Sequence, residues 1–139
     1  MHNQGGINGN GLQMRHEAYH SVDGYSRIGS YVGNGNADGT FVYCGFRPAY
    51  VMTKRINSTS DWRVWDTARN TYNTTGAAMG GSMASIKLSD NHVEDTSIGM
   101  DILSNGFKPR SSNSEFNTGN GYYLYYAIAE TPFKNANAR

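Results

Sequence analysis

The chain has 139 residues, the length of one domain, and twelve Lys and Arg against eleven Asp and Glu give a formal charge of +1. That balance leaves no basic surplus to neutralise phosphates, which sets nucleic-acid binding aside. No apolar run reaches the ~18 residues of a membrane span, and the polar start does not read as a secretory leader, so a soluble protein with no membrane partner is expected.

Seventeen glycines, well above the ~7% of an average chain, cut the sequence into short segments. Residues 1–11, MHNQGGINGNG, offer only Met1 and Ile7 for burial. Residues 1–23 therefore read as a Gly/Asn-rich arm and junction, ahead of a single domain over 24–139. Residues 25–32 are extended in character, 33–39 form a loop of turn residues, and 40–45 return to the β-branched and aromatic residues of a strand. Residues 49–56, AYVMTKRI, place Tyr50, Met52 and Ile56 on one parity and Thr53 and Arg55 on a wet one. A turn over 57–61 leads to Trp62–Asp66 as the hairpin partner. Residues 69–85 read as a long loop with at most one short strand.

Ile98, Met100 and Ile102 alternate, Ser104-Asn105-Gly106 turns, and Phe107 starts back as a second hairpin. After a loop over 111–121, residues 122–129, YYLYYAIA, are the most apolar run in the chain and predict a central strand covered on both faces. Short strands at near-regular spacing predict an all-β fold, an antiparallel β-sandwich of jelly-roll type with an extended N-terminal arm.

His16-Glu17-Ala18-Tyr19-His20 matches the HExxH letters of zinc proteases. That chemistry needs a helix, since only there do residues four apart bring both imidazoles to one side. Flanking glycines deny one, and a third ligand would have to come from elsewhere, His92 being the only other downstream histidine, with Glu94 and Asp95 beside it. The histidines are read as polar surface, with no metal. The single cysteine, Cys44, excludes an intrachain disulfide and sits in an apolar run, a small buried hydrophobe rather than a nucleophile. Residues 33–39, GNGNADG, are too long for a GxGxxG loop and have no helix after them. Asp90-Asn91-His92-Val93-Glu94-Asp95 lacks the glycine of a calcium loop and reads as solvated acid. Asn57-Ser58-Thr59 and Asn73-Thr74-Thr75 match glycosylation acceptors but read as turn chemistry. Trp62 and Trp65, an odd number apart, must face opposite sides of a strand, one of them inward. No catalytic, cofactor-binding or metal residue is assigned.

The runs GYSRIGSYVGNGNADGTFVYCGFRPAYVMTKR, DWRVWDTARNTYN, LSNGFKPR and YYLYYAIAETPFKNANAR resemble, in that order, an uncharacterised repeat domain of bacteriophage tail-fibre-like and other virion proteins. The resemblance covers about residues 24–139 and implies a non-enzymatic virion structural protein without cofactors. The first expectation is a tail-fibre or tail-associated binding module, and the alternative is a capsid decoration protein that cements the head shell. Implied partners are further copies of the chain as a homotrimer, other virion proteins, and, as a further candidate, a host-surface glycan read by exposed aromatic rings. The arm is expected to dock on another chain.

Overall fold

The structure is a computed structural model and describes residues 17–69, 73 and 83–133. Residues 1–16, which hold most of the expected arm, and most of the 69–85 loop lie outside the described residues. Among the described residues eight strands follow in chain order: β1 (Ser26–Val32), β2 (Val42–Tyr43), β3 (Pro48–Arg55), β4 (Trp62–Asp66), β5 (Ile86–Lys87), β6 (Met100–Leu103), β7 (Gly106–Pro109) and β8 (Tyr122–Ala129).

All strand pairs are antiparallel, and they form two sheets with the orders β1-β8-β3-β4-β5 and β2-β7-β6. The two expected hairpins are present: β3–β4 turns through residues 56–61, and β6–β7 turns on Ser104-Asn105, with Leu103 opposite Gly106. The chain is an all-β sandwich. Its core is the inner face of the larger sheet, with Tyr31, Val51, Trp65, Tyr123, Tyr125 and Ala127, packed on Val42, Met100, Ile102 and Phe107 of the smaller sheet. Phe107 meets Tyr31 and Tyr125 edge to face, at ring-centroid distances of 5.9 and 5.4 Å, and so joins the two layers.

Inner positions on neighbouring strands complement one another in size. Val51 and Thr53 on β3 are small where β8 sends in Tyr123 and Tyr125 and β4 sends in Trp65. Gly29 on β1 is opposite Tyr125, and a Cβ there would stand 2.8 Å from the tyrosine ring, so the ring occupies the space a side chain would need. Cys44 is buried as expected, and burial pushes its thiol up to about 12, which leaves it protonated and unreactive at neutral pH.

The structure corrects two expectations. The parity carrying Thr53 is the inner one: Thr53 is fully buried beside Val51, while Tyr50 and Met52 point outward. β8 lies inside its sheet between β1 and β3, but only one face is covered among the described residues, because Tyr122 and Leu124 are exposed on the other. The Thr53 hydroxyl finds no hydrogen-bond partner among the described residues. Thr53→Val keeps the shape and removes that orphan group, so urea unfolding should show it stabilised by about 1 kcal/mol.

Candidate functional site

Residues directly opposite in register share a face, so the outer face of the large sheet can be read off in rows. Ile28, Tyr126, Met52 and Val64 form one row across β1, β8, β3 and β4; Ser30, Leu124, Lys54 and Trp62 form the next. Beyond them, Val32 is opposite Tyr122, whose carbonyl accepts from the Ile56 amide at 2.9 Å. Val32, Tyr122 and Ile56 are 44%, 53% and 54% exposed. The lysine ammonium in this field is drawn away to the Ser60 carbonyl.

The segment before β1 builds a wall on this face. The Ser21 hydroxyl accepts from the Ile28 amide at 3.0 Å, and Ser26 donates its hydroxyl to the His20 carbonyl at 2.9 Å, which ties the segment along the β1 edge. Tyr19 is thereby laid on Tyr126, ring centroids 4.8 Å apart, and donates its hydroxyl to Glu17. On the far side stands Trp62, 38% exposed, beside Leu88, whose amide donates to the Trp62 carbonyl at 3.0 Å. Between these walls runs a groove of about 500 Å³ floored by Met52 and Tyr126 and flanked by Tyr50 and Ile128. Trp65 is fully buried in the opposite face, so the two tryptophans divide as their odd spacing requires.

The outer face of the small sheet is different. Asp101 is opposite Lys108; Arg110 reaches Asp101 and Asp38 at 2.6 Å each; and Lys108 reaches Asp38 at 2.7 Å. This face is laced with ion pairs, and beside them it exposes Tyr43 and, next to Gly106, Phe41, 59% and 43% exposed.

A second cluster lies at the β4–β5 end. The guanidinium of Arg63, only 3% exposed, is held by Glu115, by Asp95 at 3.0 Å and by the Ser85 hydroxyl at 3.0 Å. Lys87 extends the chain of charges to Asp61 at 2.8 Å and to Glu115 at 3.2 Å. Every group here has a partner within the cluster, so it fastens two loops to the sheet edge.

These pairs set the acid response. Burial works to raise the Asp95 carboxyl, but the bonds from Ser97 and the charge of Arg63 outweigh it and hold the group below the usual carboxylate range. The Lys87 ammonium and the Ser89 hydroxyl do the same for Asp61. A depressed folded value stabilises the fold above the unfolded pKa of ~4 and is lost as pH falls through the folded one. Lys87, raised by Asp61 and Glu115, stabilises below its unfolded pKa of ~10.4 and loses that as pH rises further. Urea unfolding from pH 7 down to pH 2 should therefore show stability declining below about pH 4.

Of the residues singled out by motif, His16 lies outside the described residues; Glu17 and His20 are exposed, with Glu17 at the groove wall. His92 Nε2 lies 3.2 Å from Asp90, Glu94 bonds Arg69 at 3.0 Å, and Asp95 bonds Arg63, so these groups are directed to separate partners. Among the described residues, no three His, Cys, Asp or Glu side chains gather as a metal site would require. Asp95 departs from the solvated acidic loop expected of 90–95, because Arg63 draws it into the cluster. Asn57 Oδ1 accepts from the Tyr122 amide at 3.2 Å and its Nδ2 donates to the Asn120 carbonyl at 3.1 Å, joining two loops. Asn73 pairs with both backbone groups of Ile102 at 2.9 Å, standing in for a strand on the β6 edge.

The chain belongs to a family described as a domain of unknown function (DUF7483), whose model matches residues 4–132. No curated protein matches the chain, and no solved structure does.

Proposed function

We propose that this protein is a bacteriophage virion structural protein, a tail-fibre or tail-associated module that acts by binding and assembly and not by catalysis. The observation that carries this reading is the contrast between the two outer faces. One sheet turns mostly ion pairs to water, with Tyr43 at its β2 edge 59% exposed, and the other turns out Tyr19, Trp62 and Tyr122, 53%, 38% and 53% exposed. Rings of this size carry 150–250 Å² each, so these three alone leave roughly 300 Å² of aromatic surface in water. With the aliphatic neighbours added, the patch reaches the size that marks interaction surfaces on folded chains. The resemblance of the ordered motifs to virion repeat domains suggests the setting.

Self-association as a homotrimer belongs to the same proposal and is assigned to the end of the sheet bearing Val32, Tyr122 and Ile56. There the β1 edge is open at Ser30, although the Thr40 hydroxyl donates to the Val32 carbonyl at 2.8 Å. Val22 pairs with Ser26 and Ser21 bonds Ile28, but no bond among the described residues closes the outward backbone groups of Ser30, the next in the alternation. An exposed edge beside exposed apolar side chains suits a neighbouring copy.

Two measurements test this reading. The chain should be detected by mass spectrometry in purified virions, with antibody label at the tail. Label spread over the head shell would favour decoration instead, and absence from particles would overturn the reading. In solution, light scattering should give an oligomer that Tyr122→Ser with Ile56→Ser dissociates; a monomeric parent that stays monomeric on particles would contradict it.

A further inference from the structure

We propose that the groove between Tyr19 and Trp62 is a binding site for an uncharged saccharide, an inference that rests on the reading of this chain as a surface-binding module. The site is concave. Its walls, on Tyr19 at one side and on Trp62 of β4 at the other, rise over Met52 of β3 and Tyr126 of β8, so the opening spans about two strand spacings, on the order of 10 Å. That width and the volume of about 500 Å³ suit one or two sugar rings and fall within the range of small-ligand pockets. The depression is open along its outer side, so a thin ligand can enter edge-on or face-on.

The lining specifies the chemistry further. The ring set is Tyr19 tilted on Tyr126 and Tyr50 edge-on to Tyr126 at 6.3 Å, with Trp62 opposite. Aromatic faces receive the C–H face of a pyranose, while the Tyr50 and Tyr126 hydroxyls can exchange hydrogen bonds with its hydroxyl groups. Among the described residues no lysine or arginine lines the groove, and the one carboxylate there is Glu17. A phosphate, a sulfate or an acidic sugar would meet no countercharge among these residues and would face the Glu17 carboxylate, whereas a neutral ring meets stacking surface and hydrogen-bonding groups.

The two tryptophans make the test internal to the molecule. Trp62 faces the groove and Trp65 is fully buried on the other face, so a ligand in the groove changes the fluorescence of one and not of the other. The full chain should be applied to a printed array carrying neutral, amino and acidic saccharides, and the best neutral hit titrated by tryptophan emission. We expect binding to neutral saccharides, at least tenfold weaker in Trp62→Ala and in Tyr126→Ala. Trp62→Phe should keep most of the affinity and lose the fluorescence change. Tyr122→Ser, outside the groove, should bind as the parent does. No retention on the array at millimolar saccharide, retention of acidic saccharides alone, or full affinity in Trp62→Ala would overturn the proposal. So would conversion of an oligomer to monomer by Trp62→Ala in light scattering, which would assign the groove to a second copy. Failure on the array with the chain still present in particles would sink the saccharide site and leave the virion reading standing.

Discussion

Gly106→Ala is expected to lower the unfolding free energy by about 3–5 kcal/mol, enough to unfold a marginal domain of this size. A Cβ at residue 106 would stand 2.0 Å from the Val42 carbonyl oxygen and 3.0 Å from its carbon, contacts with backbone that no rotamer change can relieve. Relief requires β2 to separate from β7. That pairing is short, Val42 with Phe107 and Tyr43 with Gly106, and it holds the small sheet together over Phe107, the ring on which Tyr31 and Tyr125 rest. Gly119 supplies the control, because a Cβ there meets nothing nearer than 3.9 Å and Gly119→Ala should shift stability by less than about 1 kcal/mol. Urea titration of the two variants checks the pair. A Gly106→Ala protein within 1 kcal/mol of the parent would mean that β2 is not held as described.

Arg63→Met should cost about 3 kcal/mol at pH 7, the next largest single effect expected. Methionine keeps the apolar stem and deletes the guanidinium, so the loss reports the charge. Asp95 and Glu115, 26% and 18% exposed, would be left as partly buried carboxylates facing each other without the cation between them, and Ser85 would lose its partner. The remaining exposure of both acids places the figure at the lower end for a broken buried pair. Because the penalty comes from charge left without its cation, it should shrink as acid removes ionised carboxylate, and so be smaller at pH 3 than at pH 7. Equal destabilisation at pH 7 and pH 3 would show that Arg63 acts through packing alone.

Particular residues show how far the sequence specifies this arrangement. The two hairpins could be read because their turns, Ser104-Asn105 and the 57–61 stretch, use residues that favour turns locally, and because β-branched and aromatic runs flank them. The division of Trp62 from Trp65 followed from strand geometry alone. The inward parity of β3 could not be read, because hydrophobic size points the wrong way there. Large rings on β8 and β4 fill the interior, leaving room on β3 only for Val51 and Thr53, and the larger Tyr50 and Met52 go outward. Complementary volume between strands far apart in sequence decides this, and no local period records it. The same holds for Arg63, which stands between two core-like neighbours in WRVWD and is matched to Glu115, 52 residues away. β5, at two residues, is too short to carry a period at all. For the groove, the exposed tryptophan and tyrosines were visible as candidates for stacking. Their assembly was not, since Tyr19 reaches Tyr126 only through the bonds that fasten its segment to the β1 edge.

We propose that the outer face of the five-stranded sheet, exposed among the described residues, serves binding and assembly on a virus particle. A cryo-electron-microscopy map of the purified virion, at a resolution that places the strands, tests this most directly. The account predicts the chain on the tail, with Val32, Tyr122 and Ile56 against a neighbouring copy, and the Tyr19–Trp62 groove open to the outside. A map in which the ion-paired face of the small sheet makes the contacts while the aromatic face lies bare, or one in which the particle holds no copy of the chain, would contradict it.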